Sequence, residues 1–410
     1  MTTFLDFDLS DSIQKNIDKN GYKKPTPIQE KTIPLVIEGK DIVAKAQTGS
    51  GKTASFVLPI INHIQTTKGE GKAKIKALIL TPTRELTLQV SKNFELFDEK
   101  LKVVSLIGGK GIGDQLYDIQ QGCDVVVATS GRLLDIFTKK QMNLSHLKYF
   151  VLDEADKMLN FGFEEELNSI LDQIPAKRQN LMFSATYPQK VLDIISKVSK
   201  EYTKVEIEDQ NQTVDTINQR VIEVNKENRS ALLRKLIKDN KFKSVLVFMA
   251  SKRATENIAA KFRKYGFDGE SFHGDLDQEE RIATLEDFKE GYVKILFATD
   301  IAARGLDIDD ISCVINYDLP RSTSDYTHRI GRTARAGKSG VAISFIDFED
   351  FDHFKLIEKR CEIKLEREQI EGFELKGEAP IKKKGPAPVK GKRKSKKDKL
   401  REKAAANKKA

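Results

Sequence analysis

At 410 residues and 39% hydrophobic content, the chain exceeds one ordinary core and predicts two domains of roughly 150 to 200 residues each. Its formal charge of +9 is unevenly spread. Residues 381–410 hold fourteen Lys or Arg against Asp398 and Glu402, so the other 380 residues sum to −3 and a uniformly basic body is excluded.

Short runs rich in Val, Ile and Leu alternate with amphipathic stretches in chain order: 41–44, 77–81, 103–107, 125–129, 150–153, 181–184 and 205–207. Such apolar strands, separated by helices, predict a parallel sheet covered on both faces. The chain turns polar from Glu208, and a second strand series follows at 244–249, 270–272, 293–298, 313–317 and 341–345, with a helix over 254–265. The fold class expected is α/β, as two tandem domains spanning 1–208 and 219–365, joined by a linker over 209–218. Residues 366–410 are expected to form a basic, disordered tail, with all apolar periodicity lost from about Ala379.

Cys123, Cys313 and Cys361 are scattered and odd in number, which argues against a disulfide framework or a zinc site and for a reducing compartment. Residues 1–10 have no basic flank, and no apolar run approaches eighteen residues, so a soluble, cytoplasmic protein with no membrane segment is expected.

Ligands of open α/β sheets bind outside the carboxyl ends of the strands, and the unusual residues of this chain recur there. The run Ala46-Gln47-Thr48-Gly49-Ser50-Gly51-Lys52-Thr53 follows the first strand, and Tyr149-Phe150-Val151-Leu152-Asp153-Glu154-Ala155-Asp156 stops an apolar strand at three carboxylates. A glycine-rich loop opening a helix cradles phosphates, and acids delivered beside it hold a magnesium nucleotide. In this reading Lys52 reaches the β and γ phosphates, Thr53 and Asp153 hold magnesium, and Glu154 orients and deprotonates the attacking water. Ala46 stands where the strict loop pattern has glycine.

The carboxamide of Gln29 offers a donor beside an acceptor, matching the N6 and N7 edge of adenine. Phe4, seventeen residues before Gly21, is expected to stack on the base, with Tyr22 nearby. The cation that the transition state needs comes from the second half, in His328-Arg329-Ile330-Gly331-Arg332-Thr333-Ala334-Arg335, where Arg332 and Arg335 fit arginine fingers. The active site is then split across the linker and completed by closure of the domains. His63, His146 and His353 are read as structural, whereas His273 leaves two roles open, packing or a place near a bound strand.

With these motifs in this order, from Phe4 to Phe345, the sequence resembles the DEAD-box RNA helicases of helicase superfamily 2. The resemblance implies two RecA-like domains that bind ATP with magnesium and single-stranded or short duplex RNA in the cleft between them, gripping mainly the RNA backbone. By this resemblance Pro82, Arg84, Gly109, Thr129 and Arg132, with Gln278, Arg281 and Thr299, contact RNA; Gly305 and Asp307 meet the nucleotide; and Asp156, Ser184, Thr186 and His328 couple the two sites. Hydroxyl, amide and arginine groups suit a grip on phosphates and 2′-hydroxyls that reads no bases. Ser130 stands in place of the family's usual proline and Ala334 in place of its commoner glycine. The implied activity is ATP-dependent unwinding or remodelling of short RNA duplexes and RNA–protein complexes by a monomeric core, in ribosome assembly or RNA turnover. The alternative is an ATP-dependent RNA clamp with little unwinding.

Overall fold

The computed structural model describes residues 2–46, 50–67, 71–207, 217–303, 311–333 and 340–379. The first domain holds strands β1 (Ile42–Lys45), β2 (Ala77–Thr81), β3 (Val103–Leu106), β4 (Val125–Thr129), β5 (Tyr149–Leu152), β6 (Gln179–Ser184) and β7 (Thr203–Glu206). They form one parallel sheet in the order β3-β4-β2-β5-β6-β1-β7. Successive residues point to opposite faces, so Ala77, Ile79, Val125 and Val151 enter one core while Leu78, Leu80, Val126 and Leu152 enter the other. Burial on both faces is why these strands read as unbroken apolar runs.

The second domain repeats the plan with β8 (Ile217–Glu223), β9 (Val245–Phe248), β10 (Gly269–Phe272), β11 (Ile295–Ala298), β12 (Cys313–Asn316), β13 (Gly340–Ile346) and β14 (Arg367–Glu368). Their order is β10-β11-β9-β12-β13-β8-β14, again parallel throughout. The two sheets are those of tandem RecA-like domains.

Two boundaries differ from the sequence expectation. Ile217 and Asn218, expected in the linker, already belong to β8 and pair with Gly340 and Val341. β8 lies next to the sheet edge and is half-buried, so its polar Asn218, Gln219 and Arg220 hide the apolar pattern of a strand. The expected tail boundary at 366 also gives way. Arg367 and Glu368 add β14 to β8, the Glu368 carboxylate accepts from Arg220 Nε at 3.0 Å and Nη2 at 2.6 Å, and Ile370 and Phe373 pack on the core. The Asn225 side chain then exchanges two hydrogen bonds with the Lys376 backbone, at 2.8 and 2.9 Å. Residues 380–410, the basic part of the expected tail, lie outside the described residues, as do Glu208 and residues 209–216 of the linker. Among the described residues, no helix is long and apolar enough to cross a membrane.

Candidate active site and nucleic-acid interface

The phosphate loop is built between β1 and the helix Lys52–Thr66. Ala46 N donates to Ser184 O at 3.1 Å, which fixes the loop's entry to the neighbouring strand β6. Gly51 caps the helix at φ +92°, where a side chain would be strained, and an added Cβ would sit 2.6 Å from Gln29 Nε2 and 2.8 Å from Thr26 Oγ1. Only glycine fits there. Lys52 is buried and donates from Nζ to Ala46 O at 2.8 Å, so its ammonium lies folded across the loop at the positive end of the helix. Ser50 and Thr53 are half-buried beside it. Gln47, Thr48 and Gly49 lie outside the described residues.

The residues expected around adenine are placed differently from one another. Gln29 is buried, and its carboxamide already accepts from Thr26 N at 2.9 Å and donates to Gly51 O at 3.0 Å. One lone pair and one N–H remain for a ligand, so Gln29 ties its own loop to the phosphate loop as well as facing the site. Phe4, expected to stack on the base, is 4% exposed and packs in T-shaped pairs with Phe7 at 5.9 Å and Tyr22 at 6.4 Å. Tyr22 in turn packs edge-on to Phe97 at 5.3 Å.

β5 ends at Leu152 and delivers Asp153 and Glu154 into a buried pocket. Glu154 adopts a left-handed conformation, φ +52° and ψ +48°, which costs about 1–2 kcal/mol for a residue with a side chain. The turn is held by Asp153 Oδ1, which accepts from Glu154 N at 2.9 Å, and by Lys157, whose Nζ pairs with Glu154 Oε1 at 2.5 Å. Burial pushes the Asp153 carboxyl up to about 6; Lys52 opposes the rise and the adjacent Glu154 adds to it. Burial presses Glu154 upward too, but Lys157, Lys52 and Arg332 outweigh it and leave its carboxyl below the ordinary value. Glu154 is therefore held ionised, as a base must be, while Asp153 is a buried carboxylate short of positive charge.

That shortage fits magnesium. Among the described residues, no three His, Cys, Asp or Glu side chains are grouped as a metal cage. A magnesium ion held by one carboxylate, one hydroxyl and the phosphates needs none.

Asp156 turns away from this pocket. Its Oδ2 accepts from Thr186 N at 3.1 Å and from Thr186 Oγ1 at 2.9 Å; its N donates to Ser184 Oγ at 3.3 Å, and that hydroxyl donates to Thr186 O at 2.7 Å. His328, on the second-domain helix Thr323–Ile330, lies in the same field, lowered by burial and by Lys157 and Arg332, with Asp156 opposing. The structure thus joins Asp156, Ser184 and Thr186 by hydrogen bonds and sets His328 within electrostatic reach of Asp156. It also brings Arg332 of the second domain within electrostatic reach of Glu154, Lys157 and His328. Arg335, Gly305 and Asp307 lie outside the described residues.

Of the residues expected to contact RNA, Gly109 of the first domain and Gln278 of the second approach each other across the interdomain cleft. The Arg84 guanidinium lies against Gly108 and Gly109, and a Cβ on Gly109, at φ +86°, would be 2.7 Å from Arg84 Nη1 and 3.6 Å from Gln278 Cβ. Gln278 is 3% exposed, and both polar atoms of its carboxamide are buried with no hydrogen-bond partner, a costly arrangement that points to a ligand. Pro82 is buried behind Arg84. Thr129 begins the helix Ser130–Thr138, with Oγ1 donating to Leu106 O at 3.4 Å, and Arg132 Nη1 donates to Lys110 O at 3.0 Å. Thr299 N donates to Phe272 O at 3.3 Å, which sets it at the end of β11.

The Arg281 guanidinium, expected on RNA, is engaged within the protein through Nε and Nη1. Nε donates to Glu85 of the first domain at 2.6 Å, Nη1 donates to His273 O at 2.9 Å, and the group stacks over the Phe272 ring at 4.7 Å. A buried cation needs a buried acid, and here that need ties the domains together. His273 lies beside Arg281, with Nε2 3.0 Å from Glu256 Oε1 and Asp275 N donating to Nδ1 at 3.4 Å.

Glu85 and Lys157 are the functional residues that the sequence reading missed. Each had a signal: an acid beside an anion-binding arginine, and a lysine three residues after the expected base on the same helix.

Residues 26–194 match the DEAD/DEAH box helicase family, and residues 228–337 match the helicase conserved C-terminal domain. The ATP-dependent RNA helicase CshA of Listeria monocytogenes is 39% identical over 361 residues, 88% of this chain and 69% of its relative. The DEAD-box ATP-dependent RNA helicase CshA of Bacillus subtilis is 38% identical over 369 residues, 89% of this chain and 74% of its relative. Among solved structures, Saccharomyces cerevisiae Dbp5 bound to RNA and ADP BeF3 overlays with a TM-score of 0.79 at 31% identity, covering 90% of this chain and 96% of that one. A DEAD box protein from Methanococcus jannaschii is 40% identical, covers 90% of this chain and 99% of that one, and has a TM-score of 0.52. The chain more alike in sequence overlays less well, the pattern expected when two domains are set differently against each other.

Proposed function

The chain belongs to the DEAD-box family of ATP-dependent RNA helicases, enzymes that hydrolyse ATP, and from that premise we propose that it couples RNA-stimulated hydrolysis to local parting of short RNA duplexes. The observation that supports this reading is that Arg332 of the second domain lies within electrostatic reach of Glu154, so that each domain contributes charge to one site.

In the proposed cycle Gly51 and the N-terminus of its helix receive the phosphates, Lys52 moves from Ala46 O to the β and γ phosphates, and Gln29 holds adenine by its remaining valences. Thr53 and Asp153 hold magnesium, which when bound neutralises charge on the phosphates. Glu154, kept ionised by its cations, takes the proton of the attacking water, and Arg332 with Arg335 stabilises the charge that develops on the γ phosphate. RNA lies along Pro82, Arg84, Gly109, Thr129, Arg132, Gln278 and Thr299. Its arrival satisfies Gln278 and favours closure through Glu85 and Arg281, so RNA binding and hydrolysis promote each other. Asp156, Ser184, Thr186 and His328 link the two sites.

A strand-displacement assay with a short RNA duplex bearing a single-stranded overhang tests the reading. ATP-dependent parting of the duplex is expected; RNA-stimulated hydrolysis with no parting would favour a clamp that serves as an assembly platform. We place this work in the cytoplasm, in ribosome assembly or RNA turnover, with a monomeric core. Sequencing RNA crosslinked to the protein in its own cell tests that placement: recovery of precursor ribosomal RNA or decay intermediates is expected, and their absence would contradict it.

A further inference from the structure

The first sheet has a second rim, at the amino ends of its strands and remote from the cleft. Its register aligns the residues that precede Val103, Val125, Ala77, Tyr149 and Gln179, namely Lys102, Asp124, Lys76, Lys148 and Arg178. With neighbouring strands about 4.8 Å apart, these positions span about 19 Å. Four of the five are cationic. The acid among them, Asp124, is 2% exposed, and its carboxylate accepts from Lys102 N at 3.1 Å. Around the row lie exposed Lys72, Lys139 and Lys140, and Lys74, whose Nζ is 3.3 Å from His146 Nε2. His63 behind it is held below its ordinary value by burial and then by Lys76 and Lys148, so the positive field reaches inward.

Among the described residues, the exposed lysines of the rim lack acid partners: none of Lys72, Lys74, Lys102, Lys139, Lys140 and Lys148 forms an ion pair, whereas surface lysines elsewhere do, as in Lys40–Glu38 at 2.7 Å and Lys235–Asp239 at 2.9 Å. The matching rim of the second sheet shows that the architecture does not require such a row. There the same register aligns Asp268, Lys294, Ser244 and Ser312; Lys294 pairs with Asp268 at 3.3 Å, and the two serines exchange hydrogen bonds at 3.0 and 3.1 Å. Stabilisation of helix ends by cations accounts for Lys76, whose Nζ donates to Thr67 O at 3.0 Å just past the helix Lys52–Thr66. It does not account for Lys102 or Lys148, which precede strands.

We propose that this rim is an auxiliary binding face of the first domain for RNA backbone flanking the segment held in the cleft. The inference rests on the helicase reading for the identity of the polyanion. A row of ammonium groups binds phosphates as point charges without reading bases. A protein partner fits less well, because lysine is depleted from interface cores and, of the apolar residues in the rim loops, Ile75, Leu144 and Leu147 are buried and Met142 is half-buried.

The test uses the full-length protein and a Lys74→Gln/Lys140→Gln/Lys148→Gln variant, whose positions are exposed and outside the catalytic and cleft machinery. Direct binding of labelled single-stranded RNAs of about 10 and about 40 nucleotides is measured against salt, beside RNA-saturated ATP hydrolysis and the melting temperature. For the longer RNA we expect about a tenfold loss of affinity near 0.1 M salt and a salt slope shallower by about 2, as three lost phosphate contacts imply. Binding of the shorter RNA, saturated turnover and the melting temperature should not change. Unchanged binding of the longer RNA overturns the proposal, as does an equal loss for both lengths. Lost binding to a polyglutamate peptide with RNA binding intact also overturns it, in favour of an acidic protein partner. Absence of RNA-stimulated hydrolysis in the parent protein would contradict the helicase reading instead, while the binding measurement would still decide the rim.

Discussion

The two domains share one plan, a seven-stranded parallel sheet whose carboxyl edge faces the cleft, yet they load that edge in different ways. The first domain buries its charges in advance: Lys52, Asp153, Glu154, Asp156 and Lys157 are all at most 6% exposed, and each has partners within its own domain. In the second domain Arg329 is locked by Asp300 at 2.6 and 2.7 Å, but Arg332 and Arg281 reach toward the first domain's acids, and Gln278 has nothing to bond. One edge is preorganised for chemistry. The other completes it only when the two are apposed, which makes closure the natural point of control.

The comparison is broken most severely at Glu154. Glu154→Gln should lower RNA-stimulated turnover about 10³-fold while ATP affinity stays within a few-fold, since the loss falls on proton removal. Normal hydrolysis by this variant, measured beside nucleotide binding, would remove the base from the preorganised edge.

The tie between the edges comes next. Glu85→Ala and Arg281→Met each leave a buried charge without its partner, and each should weaken RNA binding in the presence of ATP about 10- to 100-fold. In a double-mutant cycle the pair should couple by about 1–3 kcal/mol. Strict additivity would mean that the tie does not contribute to closure.

A smaller effect sharpens the cleft itself. Gly109→Ala places a methyl 2.7 Å from Arg84 Nη1 on a backbone at φ +86°, and should cost RNA affinity about five- to tenfold with little change in RNA-free hydrolysis. Equal affinity of the variant for a short single-stranded RNA would show that Arg84 does not need that approach.

The difference between the edges also explains what could be read from the sequence. Strands buried on both faces declare themselves by composition, and so 77–81 and 125–129 match β2 and β4 residue for residue. Half-buried β8 and the two-residue β14 carry no such pattern, so the chain's return to the sheet at 367–368 was hidden in an apparent tail. The preorganised edge was legible because its chemistry is local: Gly51, Lys52, Asp153 and Glu154 announce themselves by neighbours in sequence. Arg332 was legible across the cleft from its arginine-rich run, but pairings between side chains far apart in sequence, and the local packing of aromatics, were not. Arg281 looks like a phosphate ligand until Glu85, 196 residues away, is seen to hold it. Phe4 looks like a free aromatic until Phe7 and Tyr22 close around it.

The central claim is that Arg332 acts on the preorganised edge only after closure. Single-turnover ATP cleavage by the parent protein and by Arg332→Ala, each with and without a saturating short RNA, tests it most directly. The account predicts a loss of at least about 10²-fold with RNA and little change in the slow RNA-free rate, so that stimulation by RNA collapses. An equal loss with and without RNA would contradict it, because Arg332 would then serve the site whether or not RNA had brought the domains together.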